Sequence, residues 1–406
     1  MTHASPPPVA SRHLSLPEFT AMLATLTATV AFSIDAMLPA LPQIAAALSP
    51  EDVNSAQLVL TAFVLGLGVG TFVVGPISDA FGRKPTINVG IVIFVVGAML
   101  ATQAGSLETL LAARFIQGLG ASAPRIVSMA LVRDIYAGRE MARVTSIIMM
   151  IFILVPAIAP SIGAMIIHLS NWRGVFWAFV VFGIFGLSWV NLRQPETLPR
   201  AARRSLRPAA VFAGVKEVFS DRAVRLYAAV LTLGFGQMFA LLSSSQQLFA
   251  AYGAGDSFPK WFALMALLAG TGSVLNARFV VHVGMRPIVS AAYLMQVVSS
   301  ALMLGLLGLG LPQDGFGFAV VFAWSVSVFF MAGVTFGNLN ALAMQKMGHI
   351  AGTVASAVTA VSTVGAVLIA APVGLLFNGT ATPIVVATLI CSAAAALLMR
   401  RTAEFD

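Results

Sequence analysis

Charge is what this sequence has least of. Asp, Glu, Lys and Arg make up 9% of its 406 residues, against 59% hydrophobic. A soluble domain carries about 25% charged residues to solvate its surface, so a water-facing globule of this size is excluded. The one cysteine, Cys391, excludes an internal disulfide and a cysteine-based metal cluster, and the five histidines are scattered without ligand spacing. Acids are fewer than bases, 15 against 23. The bases are spread over short hydrophilic gaps with no aromatic interleaving, so no nucleic-acid partner is expected. There is no histidine pair, no nucleophile–base pair and no stretch long enough for an extramembrane domain. Neither an enzyme nor a receptor is expected, and no catalytic residue, metal or organic cofactor. No apolar stretch carries the acidic stripe or filter-like loop of a channel.

What the chain does have is apolar length. Mean hydropathy is +0.93, and the 35 Gly and 20 Pro are better tolerated in membrane helices than in soluble ones. A spanning helix needs about 20 mostly apolar residues. Twelve stretches qualify: 19–40, 56–78, 86–104, 109–132, 143–167 and 173–192, then 224–250, 259–282, 286–310, 316–344, 352–376 and 382–400. The first is too long for a signal-peptide core and holds an acid, so it is expected to remain as a span. Placing the N-terminus in the cytoplasm puts nineteen Lys and Arg on the inner side, Arg12, Arg204, Arg207 and Lys346 among them, and only Arg173 and Lys260 outside. Basic residues mark cytoplasmic loops, so both termini are expected inside.

The longest hydrophilic stretch falls midway. The expected organisation is a cytoplasmic tail 1–18, a six-helix bundle 19–192, a basic linker 193–223, a second six-helix bundle 224–400 and a tail 401–406. An internal echo supports two related halves: Gly82-Arg83-Lys84-Pro85 after span two returns as Gly284-Met285-Arg286-Pro287 after span eight, 202 residues later. Parallel halves of this kind are the plan of an all-α carrier.

Few residues can carry chemistry inside such a bundle, and Asp35 comes first. It lies in span one, about a turn before Pro39, where a charged carboxylate costs about 2.5–3.5 kcal/mol to insert. It is the only acid well inside any of the twelve stretches. An acid balanced between the cost of desolvating its charge and the attraction of a nearby cation can exchange a proton for a substrate. The alternatives are a purely structural partner of an arginine, or an acid at the membrane interface. Arg114 is the expected partner. Asp35 stands about five residues short of the outer end of span one and Arg114 about five past the outer end of span four, so both lie about 7 Å deep.

Arg114, Gln117, Gly118, Ala121, Arg125 and Ser128 share one face of span four at helical spacing. That face is small, polar and basic, and it lines either a cavity or a close helix contact. Arg125, about 16 Å further inward, either extends a polar path or locks onto span five. Gln57, Gln237 and Asn338 are candidate cavity polars, with helix-to-helix hydrogen bonding as the competing reading. Gly66-Leu67-Gly68-Val69-Gly70 reads as close helix packing. Pro156 and Pro160 bend span five wherever such residues occur.

The string Gly75-Pro76-Ile77-Ser78-Asp79-Ala80-Phe81-Gly82-Arg83-Lys84-Pro85 resembles the signature between spans two and three of the major facilitator superfamily. That resemblance implies the major-facilitator fold. It also implies a charge cluster of Asp79 and Arg83 with the inner end of span four, where Arg133 and Asp134 stand, and with the start of span eleven; the cluster would hold the outward-open state. Further strings are similar to one branch, the drug:proton antiporters of bicyclomycin resistance and chloramphenicol efflux (Bcr/CflA). They are Ile34 to Pro42 in span one, Arg114-Phe115-Ile116-Gln117-Gly118 and Val132 to Tyr136 in span four, Pro156 to Gly163 in span five, and Gly352 to Ala357 in span eleven.

Two departures stand out. The span-five core reads Ala159-Pro160 and Gly163-Ala164 where the branch has Gly-Pro and Gly-Gly, and Val281 stands in the second half where Asp79 stands in the first. The resemblance implies a proton-coupled efflux antiporter for small, fairly apolar drugs, phenicol- or bicyclomycin-like, working by alternating access as a monomer in the bacterial inner membrane. Its partners would be drug, protons and lipid, with protons the coupling ion. The alternative is a carrier of the same fold for one metabolite, as exporter or proton symporter.

Overall fold

The computed structural model describes residues 14–405 apart from 204, 205, 207, 346, 348 and 349. The N-terminal tail through residue 13, Arg12 with it, and Arg204, Arg207 and Lys346 lie outside the described residues.

Fourteen α-helices account for nearly all of the described chain. They are α1 (Leu16–Asp35), α2 (Leu41–Leu48), α3 (Leu58–Phe81), α4 (Arg83–Thr102), α5 (Leu107–Ile135), α6 (Gly138–Leu169), α7 (Trp172–Arg193), α8 (Pro208–Val218), α9 (Arg222–Ala251), α10 (Phe258–Val283), α11 (Met285–Gly308), α12 (Gly315–Gln345), α13 (Ala351–Leu375) and α14 (Thr382–Arg401). Among the described residues twelve spans are long and apolar enough to cross a membrane. Span one is α1 and α2 together, Leu16–Leu48; spans two to six are built on α3 to α7 and seven to twelve on α9 to α14. The linker interval holds the short helix α8, whose Val218 is buried with Val224 and Tyr227 in the second half.

Large apolar side chains cover the outside of the bundle. Val89, Val181, Met295, Leu302 and Ile390 are each 60% or more exposed, a surface only lipid solvates without cost. Inside, the apolar core has a telling shape. Toward the end where Asp52 and Phe377 lie it is continuous through both halves, joining Leu60, Phe63 and Phe176 to Leu241, Phe249 and Phe258. Toward the end carrying Arg83 and Arg133, called the basic end below, it divides in two. Phe19, Leu23, Val74 and Leu131 form one cluster in the first half, and Val224, Tyr227, Leu339 and Val354 form another in the second. A cavity of about 710 Å³ lies at this end, lined by Phe72, Ile126 and Ala130 of the first half and by Ile350, Thr353 and Ser356 of the second.

The sequence echo has a backbone counterpart. Gly82 (φ 110°, ψ 163°) and Gly284 (φ 90°, ψ 157°) adopt the same left-handed conformation before α4 and α11. Only glycine takes it without strain, so both turns need the residue they have.

Candidate functional site

Span one is not one helix. α1 stops at Asp35, and a short 3₁₀ turn over Leu38–Ala40 leads into α2. Pro39 and Pro42 explain the stop: neither can donate a backbone N–H, and each ring crowds the carbonyl four residues before it. In an unbroken helix the Ser33 carbonyl would accept from Met37 N–H. Here it accepts from Arg114 Nη2 at 3.1 Å instead. Arg114 also donates from Nε to the Val59 carbonyl (3.2 Å) and from Nη1 to Gln117 Oε1 (2.7 Å). Its guanidinium lies over the Phe63 ring at 4.4 Å from the centroid, and the side chain is wholly buried. The break thus frees a backbone acceptor in the membrane interior, and a side chain of the same half satisfies it.

This corrects the expected ion pair between Asp35 and Arg114. Among the described residues no cation stands within 4.0 Å of the Asp35 carboxyl, and no group donates a hydrogen bond to it. The depth arithmetic does bring Arg114 level with the end of α1, where it reaches Ser33. Two residues along a helix, however, turn the side chain by about 200°, so sharing a depth is not facing. Asp35 is 5% exposed. Its carboxyl is enclosed by protein, neither laid against lipid nor bathed in bulk water.

The walls around the break are backbone-close. A Cβ on Gly163 would overlap the Ala36 carbonyl, so α6, with Pro156 and Pro160 inside it, packs on span one one residue beyond the acid. A Cβ on Gly118 would overlap the Phe63 carbonyl, and one on Gly66 the Phe115 carbonyl. α3 and α5 therefore meet glycine to backbone in both directions, the small-residue packing that membrane helices use. On the same side of α5, Gln117 is wholly buried with its Nε2 unpartnered. Arg125, directly after Pro124 within the helix, is partly exposed and has no hydrogen bond or ion pair among the described residues. Among the described residues no hydrogen bond or ion pair ties it to span five.

The charge cluster at the basic end is built inside the first half. Arg83 Nη1 donates to Asp79 Oδ1 (2.6 Å) and Ser78 Oγ (3.0 Å), and its Nε donates to Asp134 Oδ2 (2.9 Å). Of the two span-four candidates only Asp134 joins. Arg133 turns toward the start of α13, where its Nη1 stands 3.8 Å from the place of a Cβ on Gly352. No hydrogen bond or ion pair between Arg83 and α13 is found among the described residues, because α13 opens with Ala351-Gly352-Thr353 and offers no charge. Gly75 lines the cavity, and a Cβ there would meet nothing within 4 Å. Lys84 Nζ donates to the Asn191 carbonyl at 3.0 Å.

Sequence reasoning missed Glu196. Its two carboxylate oxygens accept from the backbone N–H of Arg83 (3.0 Å) and Lys84 (3.1 Å), capping α4 from a distant segment, and Thr197 Oγ1 donates to Asp134 Oδ2 (2.8 Å). An acid three residues beyond Arg193, the last residue of α7, was the available signal.

The three candidate cavity polars all make helix-to-helix hydrogen bonds. Gln237 Oε1 accepts from Ser392 of α14 (2.8 Å), and Asn338 Nδ2 donates to Asn276 of α10 (2.7 Å). Gln57 does something else: it joins the halves. Its Nε2 donates to Gln247 Oε1 (2.5 Å) and its Oε1 accepts from Ser244 Oγ (2.6 Å), both on α9. Beside it Asn54 Nδ2 donates to the carbonyls of Leu375 (3.1 Å) and Phe377 (2.7 Å), and Gln247 Nε2 to that of Val53 (3.3 Å). Among the described residues, every hydrogen bond between the halves lies at this end, opposite the divided core.

Comparison with known proteins fits this architecture. The family model described as Major Facilitator Superfamily matches residues 23–370. A bicyclomycin resistance protein homolog of Haemophilus influenzae is 30% identical over 360 residues, 86% of this chain and 87% of its own. A chloramphenicol resistance protein of Pseudomonas aeruginosa is 29% identical over 392 residues, 90% of this chain and 86% of its own. Among solved structures, a D-xylose–proton symporter superposes with a TM-score of 0.73 at 14% identity, covering 94% of this chain and 97% of its own; that likeness concerns the fold alone.

Proposed function

The chain belongs to the major facilitator superfamily, and on that premise we propose that it exports small, fairly apolar drugs from the bacterial cytoplasm in exchange for protons. Two drug-resistance proteins among its relatives support the cargo class. One observation carries the coupling: Asp35, the lone acid of the bundle interior, is enclosed at the break in span one with neither cation nor hydrogen-bond donor. An ionised carboxylate so placed is costly, so the acid exchanges its proton only when water reaches the break from one side or the other.

The cycle follows from the two ends. With the basic end taken as cytoplasmic, by its excess of Lys and Arg, the arrangement described above faces inward. The Gln57 and Asn54 hydrogen bonds seal the outside, and the cavity admits cargo from the cytoplasm. Deprotonation of Asp35 on that side and reprotonation from the other returns one proton per cycle. A proton gradient supplies about 2.3 kcal/mol per 100 mV and about 1.4 kcal/mol per pH unit, which sustains a tenfold to hundredfold drug gradient.

The test is drug transport into inverted vesicles from a pump-deficient bacterium, with chloramphenicol and bicyclomycin as probes. Asp35→Asn should abolish acceleration by an imposed proton gradient. Undiminished proton-driven transport by that variant would remove the coupling assignment, and no transport of either drug by the unaltered protein would remove the cargo class.

A further inference from the structure

Among the described residues the bundle interior holds two guanidinium groups and one carboxyl, and they do not pair. Arg114 has its charge dispersed over two carbonyls, an amide oxygen and an aromatic face. Arg125 has none of these. It lies seven residues beyond Gly118 and eleven beyond Arg114, within about 20° of Arg114 around α5 and about 16 Å along it. That side of α5 looks into the bundle toward α1 and α3, not to lipid, since Arg114 on it reaches Ser33 and Val59. The nearest acid further along α5, Asp134, is about 13 Å on and already accepts from Arg83 and Thr197. Asp79 is held by Arg83 as well.

An arginine inside a bundle is retained where something neutralises it. At Arg125 none of the described residues does so, and the side chain is partly exposed. Deeper along the same face stands the unspent amide donor of Gln117.

From this we infer that Arg125 is a recognition residue for an anionic group on the cargo, and that the cargo range includes amphiphilic organic anions, an apolar body bearing a carboxylate. The planar guanidinium offers paired donors that match a carboxylate edge to edge, while apolar side chains of the bundle interior take the body. This rests on the export reading above and narrows it: neutral drugs are carried without this contact. A free inorganic anion would satisfy the same charge, so the experiment separates the two sources.

In a pump-deficient host, resistance to nalidixate, a carboxylate drug, is compared with resistance to neutral chloramphenicol for the unaltered protein, Arg125→Gln and Arg125→Lys. The expected result is a selective loss: nalidixate resistance relative to chloramphenicol resistance falls about tenfold or more in Arg125→Gln, the size of a lost charge-assisted contact, with partial recovery in Arg125→Lys. Thermal unfolding of the purified proteins, in chloride and in gluconate, should show stabilisation by nalidixate in either salt for the unaltered protein and none for Arg125→Gln.

Equal loss of both resistances in a variant that unfolds at the normal temperature would make Arg125 structural and overturn the inference. So would stabilisation by chloride alone with no further gain from nalidixate, or nalidixate resistance and stabilisation undiminished in Arg125→Gln. An unaltered protein neither stabilised by nalidixate nor protective against it refutes the inference while leaving chloramphenicol export standing. Nalidixate recognition through Arg125 without chloramphenicol export would retain it and refute the neutral cargo class.

Discussion

Replacing Gln57 with leucine should unlatch the end opposite the basic loops. The amide makes two hydrogen bonds across the halves, to Gln247 at 2.5 Å and from Ser244 at 2.6 Å, and leucine fills similar space without either. At about 0.5–1.5 kcal/mol net per bond, the loss is about 1–3 kcal/mol of preference for the closed end, about a 5- to 150-fold shift in the ratio of closed to open. The Asn54 bonds to Leu375 and Phe377 remain, so the change is a shift of population and not a collapse. Spin labels on Glu51→Cys and Leu376→Cys, both exposed and on different halves, report it. Cys391 is buried and is replaced by serine to leave the two labels alone. Pulsed dipolar spectroscopy should show a longer-distance population appear or grow in Gln57→Leu. An unchanged distance distribution would refute the claim that these neutral hydrogen bonds hold the end shut.

Two further outcomes follow from the packing and the cap. Gly163→Val should abolish drug transport with normal insertion in the membrane, because a side chain there overlaps the Ala36 carbonyl and drives α6 off span one; full transport would show that the contact yields. Glu196→Ala strips the first-turn donors of α4 of their acceptor and should lower stability by about 1–2 kcal/mol, as loss of a helix cap does. The readout is the thermal unfolding temperature in detergent, with Glu196→Gln in between; an unmoved transition would make the cap incidental.

How much of this was legible beforehand depends on the reach of each signal. Apolar runs found twelve spans because a bilayer leaves few other solutions. Gly82 announced its turn because only glycine fits it, and the same held for Gly284. The partner of Arg114 was not legible. Depth along a helix can be counted from the chain, but direction around it changes by about 100° per residue, and no pattern announces that a proline break two residues off will offer a carbonyl. Gln57 was noticed as a polar residue in an apolar run, yet its partners on α9 are 187 and 190 residues away and belong to the other half. Glu196 was passed over because a linker acid looks like solvated charge until the chain brings it back to α4.

The way span one is mended has a mechanical consequence. A proline break inside a transport helix invites treatment as a hinge, with carbonyls swinging free on either side. Here the loose carbonyl of Ser33 is splinted by Arg114, whose own helix is seated glycine to backbone on α3. The elbow is therefore braced within one half. It travels with that half as a stiff lever, and what parts between conformations is the seam where Gln57 and Asn54 meet the opposite bundle.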